Sequence, residues 1–310
     1  MSINYSLRLL AFCLFLLSVT VAFGQKEMMY SQYMLNPLAI NPAYAGSRES
    51  LNFALMFRRK WFGAQNSSLA TGGGGGGPIS QTFSGDGAIA NGKIGLGIQA
   101  QNDQLSTFGT TGVYGSVAYR IDLPALAKLS IGVQGGVNVL PVFDQFSGGF
   151  SVRQAVGSAG VGVYYQSPTF FGGISLPELV NKGVVLSGQA LFNATLPLFI
   201  QAGTKLNLAD ELVLIPSVLI TRAANRPLGV DLNARLWLKE KLGLGVSLRA
   251  NSLGVESKDY VQALAEYQLS SAIRVGYAFS SQTIENPLFP QRSAHELTFK
   301  YALNNLTFNY

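Results

Sequence analysis

A lone histidine, a lone cysteine and a run of glycines are the residues whose types could carry chemistry, and each fails on its surroundings. His295 is the only histidine in the 310 residues, and Glu296 follows it. A protein-held zinc needs about three or four N, S or O ligands, and no second histidine exists to join this one. A Ser/His/acid relay would have to use His295 as well, with no supporting motif around it. Cys13 sits inside an apolar N-terminal run. If that run is removed, disulfides, thiolate catalysis and cysteine metal sites go with it. Thr71–Pro78 contains six consecutive glycines, but no Lys-Ser/Thr follows to complete a phosphate cradle. It reads as a flexible linker, either natural slack in a loop or an edited segment. Acidic, glycine-centred calcium loops are absent from the sequence. No Lys/Arg cluster alternates with aromatics as nucleic-acid binding would require. The expectation is a protein that is not an enzyme, with no catalytic residue, no cofactor, no metal and no nucleic-acid partner.

The remaining polar residues stand in alternation. In 228–239, Asp231, Asn233 and Arg235 share one side while Leu228, Val230, Leu232, Leu236 and Leu238 share the other. In 242–251, Ser247, Arg249 and Asn251 oppose Leu242, Leu244, Val246 and Leu248. A period of two is a strand with two unlike faces. Thr111–Asp122 and Leu129–Leu140 repeat it, with glycines among the small positions.

Such segments run to about ten or twelve residues, whereas strands of soluble domains average about five or six. A strand crossing a bilayer needs roughly nine to eleven. Apolar residues make up 48% of the chain and charged residues 12%, about half the charged share of soluble proteins. After the N-terminus no apolar run reaches the ~20 residues of a transmembrane helix. The fold expected is an all-β, antiparallel transmembrane barrel of the outer-membrane type. Fourteen candidate strands run from Leu51–Lys60 to Ala294–Leu303, an even count. Connections after even-numbered strands are short, as at Asn91-Gly92, where a type I′ turn fits. Those after odd-numbered strands are mostly long: Trp61–Ile79, Phe143–Val156, Pro177–Pro197, Ser252–Asp259 and Gln282–Ser293. That rhythm predicts short periplasmic turns, long external loops and both termini in the periplasm. Asp231, Asn233, Arg235 and Arg249 are then candidates to face the lumen, as a selectivity surface or as an internal charge network.

The chain divides into three. Residues 1–24 have the form of a signal peptide, with Arg8 before an apolar stretch and Ala22-Phe23-Gly24 at its end. Its removal would lower the net charge from +6 to +5, through loss of Arg8 alone. Residues 25–50 are irregular, broken by Asn36-Pro37 and Asn41-Pro42, and read as a periplasmic or plug segment. Residues 51–310 would form the barrel. Aromatics near strand ends, among them Tyr164, Phe171, Tyr267 and Tyr277, suit an interfacial girdle.

Residues 30–46 (YSQYMLNPLAINPAYAG) and Arg58-Arg59-Lys60-Trp61 resemble the PorP/SprF family of Bacteroidota outer-membrane proteins. The resemblance continues through Gln81-Thr82-Phe83-Ser84, Gly95-Leu96-Gly97, Ala118-Tyr119-Arg120, Val230-Asp231-Leu232-Asn233 and His295-Glu296-Leu297. Its most specific part is Asn41, Pro42, Ala43, Tyr44, Ala45 and Gly46. The resemblance implies a role with the type IX secretion system: export or surface retention of a large secreted protein, such as a gliding adhesin, through its C-terminal sorting domain. Other secretion-system or periplasmic components, membrane lipid and lipopolysaccharide would be further contacts. Phe143, Phe146, Phe150, Phe192, Leu288 and Phe289, in the long loops, are the candidate partner-binding residues. A diffusion channel or uptake porin with a polar lumen is the alternative.

Overall fold

The computed structural model describes residues 33–60, 79–105, 108–143, 151–181, 184–186, 189–192, 196–224, 228–251, 260–283 and 291–303. These form a closed antiparallel barrel of 14 strands. The strands are β1 Asn52–Lys60, β2 Ile79–Ile89, β3 Ile94–Leu105, β4 Phe108–Leu123, β5 Ala127–Phe143, β6 Ser151–Gln166 and β7 Phe170–Asn181. They continue as β8 Leu198–Thr204, β9 Leu212–Arg222, β10 Gly229–Leu238, β11 Leu242–Asn251, β12 Tyr260–Gln268, β13 Ile273–Thr283 and β14 Gln291–Ala302. Each pairs with the next, and β1 pairs with β14 to close the ring. Closure removes every full-length edge, which in lipid would leave backbone groups unsatisfied.

All fourteen expected segments are strands. Their two faces are the reverse of a soluble protein's. Leu55, Ile98, Val113, Val133, Leu232, Leu248 and Leu297 are exposed on the outside. Thr82, Gln99, Ser116, Ser158, Gln201, Ser247, Gln262 and Thr298 are buried on the inside. Only a hydrocarbon surrounding makes that arrangement favourable.

The short turns gather at one end. Ala90 and Asn91 both have positive φ, as do Ala125 with Leu126 and Lys239 with Glu240. These are the left-handed pairs that let a tight hairpin follow the twist of its strands. Asn91-Gly92 is part of such a turn, and Ala90 joins it in the left-handed region.

At the other end two sequence-read loops are partly strand. β5 runs to Phe143 and β6 begins at Ser151, so Phe143 and residues 151–156 of that stretch are strand, and 144–150 lie outside the described residues. Pro177–Pro197 holds the end of β7 and a separate small hairpin, Val184–Leu186 with Gln189–Phe192. The alternation there is blurred by Pro141, Pro177 and glycines, and the strands continue through them.

Candidate functional site

The site is the junction between residues 33–50 and the inner wall at the short-turn end. Two prolines set it up. Pro37 and Pro42 each open a short 3-10 helix, Pro37–Ala39 and Pro42–Tyr44, at the positions where a missing N–H matters least. Asn41 caps the second: Ala43 N–H donates to its Oδ1 at 3.0 Å, and its Nδ2 donates to the Val163 carbonyl of β6 at 3.0 Å. One side chain thus shapes the turn and ties it to the wall.

The wall opposite is glycine. A Cβ on Gly95 would lie 1.9 Å from the Ala45 carbonyl oxygen, and one on Gly132 would lie 2.4 Å from Ala43 Cα. On Gly162 and Gly173 it would strike the Asn41 amide at 2.1 and 2.6 Å. Four strands therefore present bare backbone to the Asn41–Gly46 block. Ala43 and Ala45 are fully buried there, with Asn41 and Tyr44 nearly so. Gly46 sits at φ +72° and donates its N–H to Asp86 Oδ2 of β2 at 3.1 Å. Ser175 of β7 donates to the Ile40 carbonyl at 2.6 Å.

Tyr44 packs edge-on against Tyr164 at 5.3 Å, in a cluster with Phe171, Ile215 and Trp237. Tyr164 and Phe171 were expected in the outer girdle. Their strand parity turns them inward instead, under the Tyr44 ring. Tyr267, Tyr277 and Phe279 are exposed on the outer face.

A charged floor surrounds this block. Lys300 and Glu266 pair at 2.9 Å, with both side chains buried, and Arg235 stands 3.9 Å from the same carboxylate. Arg235 also donates to the Met34 carbonyl at 3.2 Å. Arg274 lies over the Trp237 ring at 4.5 Å and donates to Gln268 at 2.6 Å. Arg48 donates to the Tyr44 hydroxyl at 3.1 Å. At the rim, Glu49 accepts from Lys128 at 2.5 Å and faces Arg120 at 3.6 Å. The hydrogen bond from Lys128, with the positive charges of Lys128 and Arg120, holds the Glu49 carboxyl below its usual range.

The sequence-read lumen residues fall into two groups. Asn233 donates to the Tyr33 hydroxyl and Arg235 to Met34, so both hold the N-terminal segment. Asp231 and Arg249 pair with each other through two N–H groups. Of the candidate partner-binding residues, Phe143 ends β5 and Phe192 ends the small hairpin; Phe146, Phe150, Leu288 and Phe289 lie outside the described residues. So do residues 1–24, the hexaglycine stretch and residues 304–310. His295 stands on the outer wall, its Nδ1 2.6 Å from the Tyr277 hydroxyl and its ring against Phe279. Among the described residues no group of three His, Cys, Asp or Glu side chains could hold a metal.

Sequence reasoning had the Asn41–Gly46 block but missed its glycine partners. The signal was available in part: Gly95, Gly132 and Gly162 all sit on the polar parity of their strands, where a glycine exposes backbone to whatever lies within.

A family model described as type IX secretion system membrane protein PorP/SprF matches residues 22–301. No curated protein matches the sequence. Among solved structures, the CymD monoaromatic hydrocarbon channel superposes with a TM-score of 0.53 and 11% identity, over 93% of this chain and 96% of that one. Omp33 of Acinetobacter baumannii gives 0.48 and 11%, over 83% and 100%. A FadL homologue of Pseudomonas aeruginosa gives 0.48 and 12%, over 84% and 92%. Identities this low speak to the fold alone.

Proposed function

Because the chain belongs to the PorP/SprF family of type IX secretion system membrane proteins, we propose that it anchors or receives, in the outer membrane, a large surface protein delivered by that system. The cargo is taken through its C-terminal sorting domain, and no bond is made or broken in it by this protein. In this orientation the short turns and both termini face the periplasm, and the long connections face outward. Residues 1–24 serve as the signal peptide.

The observation that carries the reading is the occupied lumen. Residues 33–48 lie against inward side chains of β2–β7 and β10, with backbone seated on backbone. A solute channel needs a clear bore. An anchor needs a rigid wall and a rim, and a fixed internal segment adds to the rigidity. Gln201, Ser247 and Gln262 give the inner wall enough polarity to wet a bore, and they are what favours the channel alternative.

Gentle-detergent affinity purification from native membranes, with mass spectrometry of what co-elutes, tests the reading. A stoichiometric large secreted protein is the expected result. A barrel that elutes alone and carries steady current in planar bilayers overturns it in favour of the channel.

A further inference from the structure

The outer wall is apolar along most of its height and changes near the long connections. Leu55 and Phe57 of β1 are exposed there, as are Leu297, Phe299 and Tyr301 of β14. One outward position further toward the long connections, Arg59 and His295 stand opposite each other across the seam that closes the ring. The neighbouring strands turn polar in the same band. Gln81 of β2 pairs with Asn102 of β3, and Asn102 with Thr111 of β4; Thr111 donates to Asn102 at 2.9 Å on the exposed face. On β13, Ser281 follows Phe279 as the next exposed residue outward. Such a change marks where the hydrocarbon ends. A cation there costs about 0–1 kcal/mol, against about 2–4 kcal/mol at the bilayer midplane.

Within that band the Arg59–His295 pair is built rather than scattered. The imidazole is held from two sides: the Tyr277 hydroxyl lies 2.6 Å from its Nδ1, and Phe279 packs against it edge-on at 5.3 Å. Residues opposite each other on paired strands keep their Cβ atoms about 4.5–5.5 Å apart. A guanidinium fork and an imidazole can therefore converge on one small group. The outward positions beside them, Phe57, Ile79, Gln81, Phe279 and Leu297, bring no carboxylate. Donors concentrated at this depth, on a wall that faces lipid, match the anionic part of a headgroup.

We propose that Arg59 and His295 seat a phosphate of an outer-leaflet glycolipid, whose acyl chains lie down the apolar wall below, over Phe57, Leu55, Leu297 and Phe299. In that seat Tyr277 donates to Nδ1, which puts the imidazole N–H on Nε2 as a donor to the anion. The guanidinium adds its planar fork of N–H groups. The seat rests on the orientation given above, with the long connections outward, and asks nothing of the secreted cargo. It sets a lipid clamp across the β1–β14 seam, where the first strand of the barrel meets the last.

Native mass spectrometry of the barrel, released from its own outer membrane in mild detergent, tests it. The wild type is expected to carry a phosphorylated glycolipid through purification. Arg59→Gln combined with His295→Gln is expected to retain about tenfold less or lower, as losing two charge-assisted hydrogen bonds requires. That variant should keep the heat-modifiable gel shift of a folded barrel; if it misfolds, Arg59→Gln alone gives the same readout. Arg222→Gln, which removes an exposed cation at the end of β9, is expected to retain the lipid as the wild type does. A wild type that carries no lipid, undiminished retention in the folded variant, or equal loss in Arg222→Gln overturns the seat and leaves the anchor reading intact. An inner-leaflet phospholipid, held by the wild type and lost from the double variant, overturns the glycolipid and the orientation together.

Discussion

At the short-turn end, residues 41–46 and the wall meet backbone to backbone. At the long-connection end, β5 and β6 run to 17 and 16 residues, well beyond the roughly nine to eleven that cross a bilayer. Gly95, Gly132 and Gly162 have neighbours within about the length of a covalent bond or two of an added Cβ. Gly115, Gly135 and Gly157 have none within 4 Å. The same residue type thus serves a close fit at one end and a bare outer surface elsewhere. The difference teaches that glycine serves close backbone approach on the inner face and leaves the outer face bare.

The largest effect should come from the charged floor. Glu266→Ala leaves Lys300 and Arg235 without their buried carboxylate, and breaking such a pair costs about 3–5 kcal/mol. Denaturant unfolding in detergent should show that loss. The double variant Glu266→Gln with Lys300→Met should recover most of it, since replacing both partners is often close to neutral. Full loss in the double variant would mean the two residues act separately.

Gly132→Ala is next. Its Cβ would meet the backbone of Ala43, and overpacking of this kind costs about 1–3 kcal/mol. The sharpest form of the contrast sets it beside Gly135→Ala, expected within about 0.5 kcal/mol of wild type. Equal losses would erase the distinction between the two faces.

Asn41→Asp keeps the cap on Ala43 and removes the donor to Val163. A loss of about 1–2 kcal/mol is expected, read as faster proteolysis within residues 33–50 of a barrel that stays folded. Unchanged protection would show that the glycine fit alone holds the block.

The smallest effect is at the rim. The Glu49 carboxyl is held below the ordinary value of 4.5 by Lys128 and Arg120. A lowered folded-state value stabilises at any pH above the unfolded one and fades as pH falls through the folded one. Glu49 is 57% exposed, so screening keeps its share small. Protection of residues 48–50 should therefore be flat from pH 7 to about 5 and weaken below about 4.5; Glu49→Gln should remove that slope.

How much of this was legible in the sequence follows from which interactions are local. The alternation in 228–239 and 242–251 is a property of single strands, so strand number, parity and the short turns came through. The Asn41–Gly46 block was visible as a motif, because Pro42 and Asn41 act on their own neighbours. Its partners were not, since Asn41 reaches Val163 and Tyr33 reaches Asn233, 122 and 200 residues away. Tyr164 was misplaced because an aromatic beside a turn suits the girdle by position, whereas its parity, shared with buried Ser158, turns it inward onto the Tyr44 ring. The tops of β5 and β6 read as loop in the sequence because Pro141 is a strand breaker by type, whereas β5 runs on to Phe143.

The internal segment also bears on how the molecule comes to exist. Leu303 N–H donates to the Leu51 carbonyl at 2.9 Å, and Ala302 stands opposite Asn52. The last strand therefore zips up against the first at the very point where the segment leaves the bore. Its contacts on β2–β7 and β10 lie on strands made long after it, so residues 33–50 have to wait for their wall. A finished cylinder would have to admit this chain past its own filled floor, while a curved, unsealed sheet can wrap it. The meeting of β1 with β14 is thus the seam that shuts residues 33–50 inside the ring.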